Sequence, residues 1–173
     1  MKSTELKAPN IAAQNTDVFG LTIEPNAPKV FLAGSIEMGE AELWHESVIK
    51  RFPFDVIFFN PKRDNWDSSW KQEMNNAFVF QQVTWELNHL DDADIIYMYF
   101  DPNTKSPITL LELGLYAMSG KLIVCCPEGF WRKANVDIVC QTYGIPMFSD
   151  KETSLVELRN QIQKFQNKKR SRR

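Results

Sequence analysis

Four short apolar runs constrain this chain more than any other feature: KVFLAG from Lys29, DVIFFNP from Asp55, ADIIYMYF from Ala93 and KLIVCCP from Lys121. Each reads as a strand buried on both faces, and DVIFFNP is stopped by Pro61. Helix-like stretches alternate with them, at Glu40 to Arg51, at Met74 to Asp91 and at 106-SPITLLELGLYAMSGK-121. A fifth, short strand at Ile145 to Phe148 precedes an amphipathic helix from about Ser154. Alternation of this kind predicts an α/β fold, a flavodoxin-like doubly wound five-stranded parallel sheet with helices on both faces. Such sheets bind ligands at the carboxyl ends of their strands. The polar residues AGS, FNPKRDNW, FDPNTKS and PEGFW gather at those ends.

With 173 residues, 43% of them hydrophobic and 24% charged, the chain reads as one domain with a real core. Residues 1–28 mix prolines and asparagines without periodicity and read as an extended arm, with a short strand at Val18 to Ile23. The domain proper spans 29–163. Residues 164–173 (KFQNKKRSRR) carry six positive charges, which leaves −8 of the net −2 on the remainder. The tail reads as disordered and solvated.

Composition also excludes function classes. No apolar run approaches 18 residues and no secretory h-region opens the chain, so neither a membrane span nor a signal is expected. Three cysteines, two of them adjacent, predict buried reduced thiols and a cytoplasmic setting, with the basic tail also compatible with the nucleus. No CxxC pair is present and the two histidines, His45 and His89, read as surface or capping residues without a role, so no metal is expected. In GSIEMGE, Gly34 and Gly39 have GxxxxG spacing, but Glu40 stands where a phosphate-binding P-loop needs Lys. GxGxxG is absent, and no cofactor is expected. The acidic body argues against nucleic-acid partners.

Candidate chemistry centres on Glu112. In SPITLLELGLYAMSGK, Ser106 is placed to cap a helix, Pro107 suits its first position and Gly120 its end. Ile108, Leu111, Leu115 and Met118 form the apolar stripe expected to pack on the sheet, and Glu112 borders it in the second turn. There it would point toward the strand ends and the positive end of the helix dipole. An exposed or salt-bridged glutamate fits that pattern equally well. The preceding helix repeats the arrangement, with Glu86 beside a stripe of Val83, Leu87 and Leu90. Two carboxylates flanking one site are the equipment for cleaving a glycosidic bond. Taken singly, Glu86 reads equally as a solvated helix residue.

Two loops complete the set. Gly34 and Ser35 end the first strand and permit close approach of a sugar or phosphate to the backbone. In NPKRDNW, Trp66 could stack on a base and Asp64 or Asn65 could hydrogen-bond a sugar or base edge, unless the tryptophan packs down as a lid over the core.

FLAGSI, FNPKRDNW, WELNHLDDADI and SPITLLELGLYAMSGK together resemble the nucleoside 2-deoxyribosyltransferase superfamily, over residues 29 to about 148 and closest to its nucleoside 2-deoxyribosyltransferase-like branch. The resemblance implies that Glu112 is the nucleophile attacking C1′ of the deoxyribose, with Glu86 where transferases have a base-contacting Asp. Ser106 falls where transferases carry an Asp and the nucleotide-hydrolase branch a Ser. GSIEMG resembles that branch's GSIRGG with Glu37 in place of the phosphate-binding Arg, which makes a phosphorylated substrate less attractive. Asn135, in WRKANVD, corresponds loosely to an Asn delivered into a neighbour's site, so a homo-oligomer is implied.

The expected activity is therefore N-glycosidic cleavage or transfer on 2′-deoxynucleosides through a covalent glycosyl-enzyme intermediate. Hydrolysis of another nucleoside, nucleotide or NAD-like N-glycosidic bond is the first alternative. A non-catalytic nucleotide-binding or scaffold protein is the second.

Overall fold

The structure, a computed structural model, describes residues 3–9, 27–36, 44–53 and 55–170, with side chains to Lys168. Among the described residues, six strands form one parallel sheet: β1 (Thr4–Lys7), β2 (Lys29–Gly34), β3 (Ile57–Asn60), β4 (Ile95–Tyr99), β5 (Leu122–Cys125) and β6 (Met147–Phe148). Their spatial order is β1-β3-β2-β4-β5-β6. The last five strands have the flavodoxin-like order, so the expected fold is present with one strand more than the five expected. The addition is β1, which pairs with β3 from Thr4 opposite Ile57 to Lys7 opposite Asn60. It escapes a sequence reading because TELK is short and only partly buried, as edge strands are. The expected strand at Val18 to Ile23 lies outside the described residues, as does the start of the helix expected from Glu40.

Among the described residues, five helices cover the sheet: α1 (Trp44–Lys50), α2 (Ala77–Asp92), α3 (Pro107–Tyr116), α4 (Lys133–Tyr143) and α5 (Lys151–Arg170). Two apolar cores result. On one face Trp44 and Val48 of α1 and Leu155, Leu158 and Ile162 of α5 pack on Val30, Leu32, Phe58 and Tyr97. On the other, Trp85 and Leu90 of α2, Leu113 of α3 and Val136 and Cys140 of α4 pack on Phe31, Ile96, Met98 and Val124. Successive strand residues feed opposite cores, as a pleat requires. That is why the strands read as unbroken apolar runs.

Local signals fix the helix ends. The Asn76 side chain accepts from Phe78 N (3.1 Å) and Val79 N (3.4 Å) at the start of α2. Gly144, at φ 65°, ends α4 with its N–H directed to the carbonyls of Cys140 and Gln141. Helix α5 continues through Lys164 to Arg170, where a disordered tail is expected from composition. Its apolar face, Leu158 and Ile162 with Phe165 packed against the core, carries the helix past the start of the basic run. All three cysteines are free and buried, as expected. No helix among the described residues is long and apolar enough to cross a membrane.

Candidate active site

Strand order reverses between β2 and β4, and the chain segments leaving these two strands meet there. Ser35 follows β2, while Asp101, Thr104 and Ser106 follow β4. The three hydroxyls form a buried knot, joined by the Asp101 backbone. Ser35 Oγ hydrogen-bonds with Thr104 Oγ1 at 2.6 Å and with Ser106 Oγ, and Thr104 Oγ1 lies 2.8 Å from Ser106 Oγ. The Asp101 N–H donates to Ser35 Oγ at 3.2 Å, and Thr104 Oγ1 donates to Asp101 O at 3.0 Å. Ser106 therefore does not cap α3 with its side chain, contrary to expectation. It is the one non-glycine residue among those described with positive φ, at 47°, a left-handed conformation that turns its hydroxyl into the knot. Pro107 does occupy the first turn of α3 as expected. The helix ends at Tyr116, and Gly120 lies in the turn beyond, at φ 70°.

A cavity of roughly 960 Å³ opens beside this knot, large for a small-molecule site. It brings together Gly34, Ser35, Asp64, Trp66, Glu86, Ser106 and Glu112 from the sequence-predicted set. Asn65 is not on its wall; its Oδ1 accepts from Arg63 Nε at 2.8 Å and steadies the loop instead. Asn135 lines a second cavity of roughly 350 Å³ between α3 and α4, with Leu110, Leu113 and Trp131. Within one chain it is not brought to Glu112.

Glu112 is on the inward face of α3, 7% exposed, with Thr109 and Leu113. The expected stripe is the outward one: Ile108, Leu111 and Leu115 are 58–59% exposed and Met118 is 85% exposed. Helix α2 reverses in part: Val83 and Leu87 of its expected stripe are exposed, whereas Leu90 is buried as expected, together with Val79, Gln82, Trp85 and His89. Periodicity identifies a face, but not which way it turns when both faces contain apolar residues. Here the inward faces carry the polar groups of the cavity.

Both carboxyls are raised by burial. Burial, and then the negative charge of Glu86, push the Glu112 carboxyl up to about 8. No hydrogen bond or ion pair among the described residues offsets this. Glu86 is also raised by burial, partly opposed by the hydrogen bond from Gln82 Nε2 at 2.9 Å. The same Gln82 nitrogen donates to Pro61 O at 2.8 Å, tying α2 to the loop after β3, while Gln82 Oε1 is buried without a partner. Sequence reading missed Gln82, although its position four residues before Glu86 is the spacing of a helical contact.

The remaining wall differs from expectation in two ways. Gly34 is glycine for packing: a Cβ there would lie 2.4 Å from Tyr99 O and 2.8 Å from Trp44 Cζ2, at φ 153°. The side a Cβ would occupy is filled by the protein, while the residue still borders the cavity. Both histidines are buried and not at the surface. His89 stacks on Trp85 at 3.9 Å and meets Trp85 O through Nδ1 at 2.7 Å, a core role. His45 lines the cavity. Over the loop after β3, Trp70 stacks on Phe78 at 4.7 Å, Arg63 lies 5.0 Å from the Trp70 ring, and Trp66 meets Trp70 edge-on at 5.3 Å. Trp66 is thus half-buried at the rim, held by its own aromatic cluster.

A family model described as nucleoside 2-deoxyribosyltransferase like matches residues 27–130. The match spans every residue named above on the Glu112 cavity, while Trp131 and Asn135 of the second cavity lie beyond it. A search of curated proteins finds no match.

Proposed function

Since the chain belongs to the nucleoside 2-deoxyribosyltransferase-like family, we propose that it cleaves or transfers the N-glycosidic bond of a 2′-deoxynucleoside at the Glu112 cavity. One observation carries this reading: a buried carboxylate without a hydrogen-bond or ion-pair partner among the described residues stands beside a second raised carboxylate at the carboxyl end of the sheet.

In the first step an ionised Glu112 attacks C1′ as the C1′–N bond breaks. The bonding pair leaves with the base, whose nitrogen takes a proton from Glu86. The transition state has oxocarbenium character, which the Glu112 charge stabilises before trapping it as an ester. In the second step water or another base attacks C1′, and Glu112 departs as a carboxylate. The attacking water or base returns its proton to Glu86. Ser106, held in the hydroxyl knot, positions the sugar, while Trp66 and Asp64 flank the base. A cavity of this size also accommodates a nucleotide or dinucleotide, which supports hydrolysis of such a bond as the second reading.

The apolar residues on the outer faces of α2 and α3 carry the proposed oligomer. Val83, Leu87, Ile108, Leu111 and Leu115 are exposed and also line the cavity mouth. A second copy seated on this face would bury them and exclude water from the intermediate.

The test is exchange. Incubation with a 2′-deoxynucleoside and a different free base should yield the exchanged nucleoside, or free deoxyribose if water is the acceptor. Glu112→Gln should abolish both products and leave no glycosyl adduct detectable by mass spectrometry. Turnover at the parent rate in that variant would refute the assignment.

A further inference from the structure

Gln82 ties α2 to the loop after β3 through its amide nitrogen, and the amide oxygen is left over. The residue is 5% exposed, on the inward face of α2, and lines the Glu112 cavity. Both hydrogens of Nε2 are engaged, one by Pro61 O at 2.8 Å and one by Glu86 Oε1 at 2.9 Å. Its Oε1 is buried and has no hydrogen-bond partner among the described residues. Native structures seldom leave such an atom unpaired, and a ligand N–H in the cavity would satisfy it.

The amide cannot turn over to escape this. Reversed, its oxygen would face the Pro61 carbonyl, acceptor against acceptor. Oε1 is therefore a fixed acceptor. Glu86 is fixed in the complementary sense. Its Oε1 already accepts from Gln82, so the proton that the carboxyl carries sits on Oε2. Burial raises that carboxyl and favours its protonated form. Adjacent turns of one helix face thus offer the cavity an acceptor and a donor. The Pro61 carbonyl belongs to the loop that carries Asp64 and Trp66, the base side of the cavity.

Such a pair fits a base edge of opposite polarity, an amino group next to an unprotonated ring nitrogen. Adenine and cytosine have that edge. In hypoxanthine and uracil a carbonyl oxygen replaces the amino group and would meet Gln82 Oε1 acceptor to acceptor.

We propose that Gln82 selects the leaving base: its Oε1 accepts an N–H from the amino group of adenine or cytosine while Glu86 protonates the adjacent ring nitrogen, so amino-bearing bases are favoured over their carbonyl counterparts. This deepens the N-glycosidic reading and rests on it for the position of the base. The proton moves from Glu86 Oε2 to the ring, the C1′–N bonding pair follows into the ring, and the amino group keeps both hydrogens. Gln82 is neither acid nor nucleophile; it determines specificity.

Varying the ligand tests this without disturbing the fold. The full-length Glu112→Gln protein is titrated by calorimetry with 2′-deoxyadenosine, 2′-deoxyinosine and purine 2′-deoxyriboside, which has hydrogen in place of the amino group. The first should bind about 10–100-fold tighter than either of the others, the penalty for leaving a buried acceptor unpaired. 2′-Deoxycytidine should likewise exceed 2′-deoxyuridine. Gln82→Met then removes the acceptor in the same background, and these ratios should fall toward one. A purely structural loss would weaken every ligand alike and leave the ratios standing. Equal binding of the three purine nucleosides, or ratios unchanged by Gln82→Met, overturns the proposal. An amino preference erased by Gln82→Met in a protein that exchanges no base upholds the selector and retires the N-glycosidic reading. Exchange of hypoxanthine as fast as adenine keeps that reading and discards the selector.

Discussion

Glu112 must lose its proton to act as a nucleophile, and burial opposes that loss. The reaction needs Glu112 ionised and Glu86 protonated, so kcat/KM should rise with pH to a maximum and fall again as the pair loses its last proton through about 8. Glu86→Gln removes both the donated proton and one cause of the rise at Glu112, so the alkaline limb should vanish and activity should level off from a lower pH. The maximum itself should fall by about 100-fold or more as the proton donor is lost. The same shift is a stability statement. A carboxyl raised on folding contributes stability that is present below its ordinary range and lost as pH rises through about 8. Glu112→Gln, inactive, should therefore melt higher than the parent at pH 9 by about 1–2 kcal/mol and equal it at pH 5. Thermal melts at the two pH values check this. The carboxylate itself was legible in SPITLLELGLYAMSGK as a charge inside an apolar run. His45 and Gln82 were not, because an isolated polar residue carries no periodic signal and is placed only by tertiary packing.

Elements show the same division. Strands β2 to β5 are buried on both faces and announce themselves through continuous Val, Ile, Phe and Tyr. Helix α4 does not: KANVDIVCQTY buries only Val136 and Cys140, too few to stand out from a loop. The inward faces of α2 and α3 do not stand out because apolar residues lie on the outward faces too. One element junction is testable directly. Gly34 ends β2 where Tyr99 of β4 and Trp44 of α1 close in, so a methyl group must push one of them aside. Gly34→Ala should cost about 1–3 kcal/mol by thermal or urea melts. It should lower activity in the surviving folded fraction as well, because Trp44 seats both Ser35 and His45.

For the whole molecule, Phe80, Val83, Leu87, Ile108, Leu111, Leu115 and Met118 are all exposed on or just beyond α2 and α3, the kind of apolar surface that marks an interaction face. Light scattering with size-exclusion chromatography should therefore find an oligomer. Phe80→Lys with Met118→Lys, both outside the cavity, should dissociate it and reduce turnover together. A monomeric parent protein with full activity would remove the second copy from the account. The opposite edge of the sheet has a quieter consequence. Strand β1 closes a span of about fifty residues to reach β3, an entropic cost of a few kcal/mol set against only four paired residues. Its side chains nonetheless hold the loop after β3: Lys7 grips Asp64, and Glu5 accepts from Asn60 Nδ2 at 2.7 Å. That loop carries Lys62 and Trp66. Fraying at the start of the chain and loosening of the cavity rim are thus a single event, and the weakest edge of the sheet serves as the latch of its pocket.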